Sequence, residues 1–225
     1  MASTCVPLFD ARGVGVTSEV TISWLDEGVR LGVCPLCRVG HERDRTFIER
    51  FWDDLECHGT LVPDFIAARG FCGEHARWFE RLAVGRLRSA TDRLYLAALE
   101  RLASDLADLE PDGWLCRAAC PACVDRDRGI ADAARQLMSE LGRSGPVREA
   151  FRRSRGLCLG HFTLAWDVSA EADDRDLLRD VQRAVTSRLA DEVRNQLCVD
   201  SGEVGAISER YRTEAWRRAE SMMSR

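Results

Sequence analysis

The residues with the most chemistry to offer are cysteines and histidines set in short, evenly spaced pairs. Cys34-Pro35-Leu36-Cys37 is followed by Cys72-Gly73-Glu74-His75, and Cys120-Pro121-Ala122-Cys123 is followed by Cys158-Leu159-Gly160-His161. In both sets 34 residues separate the second cysteine from the third, and the sets are offset by 86 residues without a gap. Zinc takes four ligands in a tetrahedron and favours thiolate sulfur and imidazole nitrogen, and two residues spaced by two others grip one ion from a single turn of backbone. A single CxxC is compatible with two small buried side chains, whereas four pairs in register argue for a ligand set. Disulfides are the other plain reading. With no secretory segment at the N-terminus, metal is favoured over a disulfide framework.

The expected arrangement is two Cys3His sites, one per copy. Cys34, Cys37, Cys72 and His75 would hold one zinc ion, and Cys120, Cys123, Cys158 and His161 a second, giving two Zn2+ per chain. An iron–sulfur cluster on the same ligands is the alternative cofactor, since such clusters are held mainly by thiolates. Thioredoxin-like use of the CPxC pairs expects a βαβ context that is not found here and leaves the CxxH pairs unexplained.

The surrounding sequence must supply elements that point these side chains at a common centre. The two copies also share Leu55 with Leu141, Gly59 with Gly145, Phe65 with Phe151, Arg69 with Arg155 and Gly70 with Gly156, which reads as an internal duplication. Pro35 and Pro121 sit where a helix loses no hydrogen bond to proline, so helices are expected to begin there. Phe47, Ile48, Phe51 and Leu55 continue the first at helical spacing, and Ile130, Ala134, Leu137, Met138 and Leu141 the second. A short helix is expected over 62–68 and again over 147–154, with Gly70 and Gly156 as stops. A third helix starts near Cys72 and near Cys158, so that each ligand pair lies at a helix N-terminus, where the dipole and free N–H groups favour thiolate.

Long apolar stripes follow through Leu87, Leu94, Ala98, Leu102 and Leu106, and through Leu178, Val181, Val185, Leu189 and Val193, and only helix fits them. A weaker pattern suggests a short helix over 18–28, and a last helix is expected over 204–223. No strand alternation is found. The fold class is therefore all-α, a tandem internally duplicated helical bundle with two Cys3His metal sites, its long helices packed near a pseudo-twofold axis. The expected divisions are an N-terminal arm and short helix (1–30), a first metal-binding repeat (31–113), a second (114–200) and a C-terminal helix (201–225).

Composition removes several functions. All 32 basic residues are arginine, so a Schiff-base enzyme and a P-loop, which both need lysine, are excluded. HExxH, GxSxG and GxGxxG are missing. The formal net charge of -5 argues against a chain-wide nucleic-acid footprint, although Arg148, Arg152, Arg153 and Arg155 form a local basic cluster and the tail pairs arginines with Tyr211 and Trp216. No apolar run reaches the roughly 18 residues of a membrane span. A cytoplasmic protein with reduced thiols is expected.

The motif pattern CPxC, 34 residues, then CxxH, occurring twice over roughly residues 30–170, resembles an uncharacterised bacterial family known as a domain of unknown function. The resemblance implies metal binding through the eight residues Cys34, Cys37, Cys72, His75, Cys120, Cys123, Cys158 and His161. It implies no activity.

Two functional classes stay open. Four protein ligands leave no position for substrate, which favours structural zinc in a binding or adaptor module whose partner is a protein or small molecule. The alternative is a metal-dependent enzyme using the first copy's site, since a zinc thiolate can act as a nucleophile. Glu74, His41 and His58 occur only in that copy; their bland readings are a helix-dipole partner and two surface or packing histidines. Catalytic residues are not assignable. Cys5, Cys57, Cys116 and Cys198 fall outside the pattern and are read as structural, with Cys116 near enough to Cys120 to serve as a spare ligand.

Overall fold

The computed structural model describes residues 23–28, 33–82, 88–107, 118–143, 145–169, 171–199 and 217–223. Within them the chain is helical and contains no strand. In order, the helices are α1 (23–28), α2 (Pro35–Cys57), α3 (Val62–Ala67), α4 (Gly73–Leu82), α5 (Arg88–Ala107), α6 (Pro121–Leu141), α7 (Pro146–Arg153), α8 (Leu159–Val168), α9 (Ala172–Val199) and α10 (217–223). The all-α expectation holds. So do the helix starts at Pro35 and Pro121 and the short helices α3 and α7. Residues 1–22 and 204–216, where an arm and most of the tail helix were expected, lie outside the described residues.

Turn chemistry explains where the helices stop. Asp54 closes α2: its backbone carbonyl accepts from His58 and Gly59 N–H at 2.8 and 2.6 Å, and its carboxylate accepts from Leu61 N–H at 2.7 Å. At the end of α3, Arg69 (φ 56°) and Gly70 (φ 98°) both turn left-handed. Gly70 tolerates this at no steric cost. Arg69 does not, and its guanidinium is held by Asp105 of α5 through Nε and Nη2 at 3.2 and 3.1 Å.

The chain divides into two compact units, and the division is interleaved along the sequence. Among the described residues, one contains those within 41–128 and the other those within 23–40 together with those within 129–223. The helices α2 and α6 therefore each contribute their opening turns to one unit and their bodies to the other. This line of division differs from the sequential boundaries at 31–113 and 114–200.

The 41–128 unit has an aromatic core. Phe47, Ile48, Phe51 and Trp52 of α2, Phe65 of α3 and Phe79 of α4 are all at most 4% exposed. Trp52 lies flat on Phe79, with ring centroids 4.3 Å apart and planes 2° from parallel, and Phe51 meets Phe71 edge-on at 5.0 Å. Such pairs add about 0.5–1.5 kcal/mol beyond simple burial. Helix α5 packs on α3.

The other unit buries Phe151 at the position matching Phe65 but aliphatic side chains at the other positions 86 residues on. Ala133, Ala134, Leu137 and Met138 replace Phe47, Ile48, Phe51 and Trp52, Leu157 replaces Phe71, and Ala165 replaces Phe79. Leu36 and Val39 from the opening of α2, Leu25 of α1, and Leu177, Leu178 and Val181 of α9 complete this core. Each long helix thus finds its support locally, α9 on α8.

Candidate metal centres

Four cysteines stand immediately before a helix and accept its first intrahelical bond. The carbonyls of Cys34, Cys72, Cys120 and Cys158 accept the N–H of Arg38, Ala76, Val124 and Phe162 at 3.1, 2.8, 3.0 and 2.8 Å. The second ligand of every pair lies three residues on, so both point from the same side of the first turn. Proline at the opening of α2 and α6 pre-sets that turn.

These four helix starts meet in two pairs. Site I consists of Cys34, Cys37, Cys158 and His161, and site II of Cys72, His75, Cys120 and Cys123; within each, the ligand atoms lie within 4.8 Å of one another. In site I His161 Nδ1 is 3.5, 3.3 and 3.2 Å from the sulfurs of Cys34, Cys37 and Cys158, and the Cys37 and Cys158 sulfurs are 3.7 Å apart. In site II His75 Nδ1 is 3.2, 3.6 and 3.3 Å from Cys72, Cys120 and Cys123, and the Cys72 and Cys123 sulfurs are again 3.7 Å apart. Each group of three thiols and one imidazole could hold a metal ion.

All eight candidate residues fall within the two groups, but the expected grouping is overturned. Each CPxC pair joins the CxxH pair of the other copy. The reason is helix length. Within its own copy, His75 meets α2 at Asp44, whose Oδ1 is 2.8 Å from His75 Nε2. Asp44 is seven residues beyond Cys37, about 10 Å further along the helix at 1.5 Å per residue. The CPxC at the head of α2 is out of reach of its own CxxH, and the head of α6 supplies the missing pair.

The two sites differ in what stands behind the histidine. His75 is fully buried and Asp44 is 3% exposed; the carboxylate fixes the ring so that Nδ1 faces the sulfurs. Arg126 Nη1 stands 3.9 Å from both Asp44 and Glu74. In site I the position equivalent to Asp44 is Ile130, and the Gly160 before His161 replaces Glu74. What site I has instead is a clamp on its loop. Gln182 of α9 accepts from Leu157 N–H at 2.9 Å and donates to Leu157 C=O at 2.8 Å, and Gly156 N–H donates to the buried Ser154 hydroxyl at 3.0 Å. Gly156 has φ +67°, and a Cβ there would stand 2.7 Å from Gln182 Oε1.

Packing three thiols together sets their ionisation against one another. In site II burial pushes Cys120 up, but the hydrogen bond to His75 and backbone N–H groups of Cys72, Cys123 and Ala122 outweigh it and bring the thiol down to about 6. Burial, then the neighbouring charges of Cys120 and Cys72, push Cys123 up to about 12. In site I the bond to Cys34, then that to Cys37, hold Cys158 low, while Cys37 is driven up chiefly by Cys158. Asp44, followed by Cys120, raises His75 to about 10; burial opposes protonation of His161, but Cys158 and Cys34 prevail and raise it to about 9. A dication among the ligands, together with two helix N-termini, relieves this repulsion.

Asp44, Arg126 and Gln182 escaped the sequence reading. For Asp44 there was a signal: it falls with Gly40, Phe47, Ile48 and Phe51 on the stripe of α2 that is otherwise apolar. Glu74, His41 and His58 are exposed and belong to neither group. Cys57, at the end of α2, is disulfide-bonded, so the expectation of reduced thiols does not extend to it. The side chains of Cys5, Cys116 and Cys198, and the tail residues Tyr211 and Trp216, lie outside the described residues. Among the described residues no helix is long and apolar enough to cross a membrane. Compared with protein-family models, curated proteins and solved structures, the chain matches none.

Proposed function

We propose that sites I and II each hold one zinc ion, and that the two ions fasten together helix starts from the two halves of an internally duplicated chain whose role is binding rather than catalysis. The observation that carries this reading is the size of the two groups. Zinc–sulfur bonds of 2.3 Å and zinc–nitrogen bonds of 2.0–2.1 Å at tetrahedral angles put sulfurs about 3.8 Å apart and sulfur about 3.5 Å from nitrogen. The separations here are 3.7 Å for the Cys37–Cys158 and Cys72–Cys123 sulfurs and 3.2–3.6 Å for sulfur to nitrogen, with all ligand atoms of each group within 4.8 Å. An iron–sulfur cluster distributes its ligands over several irons, and so asks for a wider spread than a single ion.

Three thiolates and one imidazole fill a tetrahedron, leaving no position for water or substrate, which is the pattern of a structural site. Its binding energy is then folding energy. The family resemblance, a cytoplasmic setting and a protein or small-molecule partner belong to the same proposal. Elemental analysis of protein purified without added metal tests it: a colourless sample with about two zinc per chain is expected, and iron with visible absorbance, or less than one metal per chain, would refute it.

A further inference from the structure

Beside site I lies a cleft of about 310 Å³, a volume suited to a small molecule. Cys34 and Cys158 form part of its wall, and arginines from three elements line it: Arg153 and Arg155 at and after the end of α7, Arg188 of α9 and Arg218 of α10. Arg218 is paired with Glu192, also in the cleft. Arg153, Arg155 and Arg188 make no ion pair among the described residues. The remainder of the lining is largely apolar, with Val185 and Leu189 of α9 and Met222 of α10.

With Glu192 taken up by Arg218, the three guanidinium groups of Arg153, Arg155 and Arg188 repel each other around one concavity and lower the cost of bringing in an anion. On the zinc reading above, site I contributes a net charge of -1, leaving an excess of two positive charges. A carboxylate offsets half of this, and a phosphate monoester nearly all. Guanidinium groups match phosphate oxygens bidentately, and the apolar wall suits an organic substituent better than inorganic phosphate. We infer that this cleft binds a small phosphate monoester with an apolar body, seated against the wall that carries two of the site I thiolates.

Phenyl phosphate is a suitable probe, titrated into the full chain by calorimetry at low salt, with zinc measured on the same samples so that the metal reading and the anion site are scored separately. Saturable binding to the wild type is expected, weaker for inorganic phosphate. Arg153→Ala and Arg188→Ala each weaken phenyl phosphate about 10-fold, the loss of one charge-assisted contact, with melting temperature unchanged. Arg179→Ala, on α9 but outside the cleft, leaves binding unaltered. Met222→Ala weakens phenyl phosphate more than inorganic phosphate. No saturable binding by the wild type, or equal affinity in the wild type and both alanine variants of the cleft, overturns the inference.

Discussion

Asp44 is buried against His75 of site II and belongs to neither group of candidate ligands. By accepting from Nε2 it selects the tautomer of His75 whose Nδ1 is free to bind metal, and it strengthens that nitrogen as a donor. Site I, with Ile130 at the equivalent place, has no such carboxylate among the described residues, so the two sites should differ in affinity. Asp44→Ala is expected to weaken metal at site II about 10–100-fold and to leave site I unchanged, as read by a two-phase release to a chromogenic chelator. The pH dependence separates the two states of the same histidine. In metal-free protein His75 is raised from 6.5 to about 10, so its contribution to stability is complete below about 6.5 and is lost as pH rises through 10. With metal bound the sign reverses, because Nδ1 must be unprotonated and acid displaces the ion. The ligand types were legible in the sequence because their spacing repeats. Asp44 was not, because a carboxylate within an apolar stripe acquires meaning only when the histidine it faces is known.

Helix starts decide where the ligands are, and they follow from local chemistry. Pro35 and Pro121 open α2 and α6, and Gly70 and Gly156 take the positive φ that turns the chain toward Cys72 and Cys158; all of this is written in the sequence within a few residues of each ligand. The clamp by Gln182 is not, since it joins α9 to a loop 25 residues away. Its two bonds hold Leu157, and so fix where Cys158 enters α8. Gln182→Ala removes both and leaves a buried N–H and C=O unpaired, a cost of about 1–3 kcal/mol. Metal release from site I should accelerate, and site II, whose equivalent loop is held through Arg69 and Asp105, should be unaffected. Thermal melting with metal release followed in parallel checks both halves of this expectation.

At the scale of the molecule, the question is which pairs share an ion. The sequence offers two groupings that satisfy every spacing equally well, within copies or across them. What chooses between them is the length of α2 and α6, 23 and 21 residues, which carries each CPxC away from the CxxH that follows it. Exchange of this kind makes residues 31–113 and 114–200 interdependent, since neither stretch alone contains a complete group.

Metal stoichiometry of paired cysteine variants tests this most directly. If the exchanged grouping is right, Cys37→Ser with Cys158→Ser damages one site twice and retains about one metal per chain, while Cys37→Ser with Cys72→Ser damages both sites and retains none. The reverse outcome, one metal kept by the 37/72 pair and none by the 37/158 pair, would contradict it.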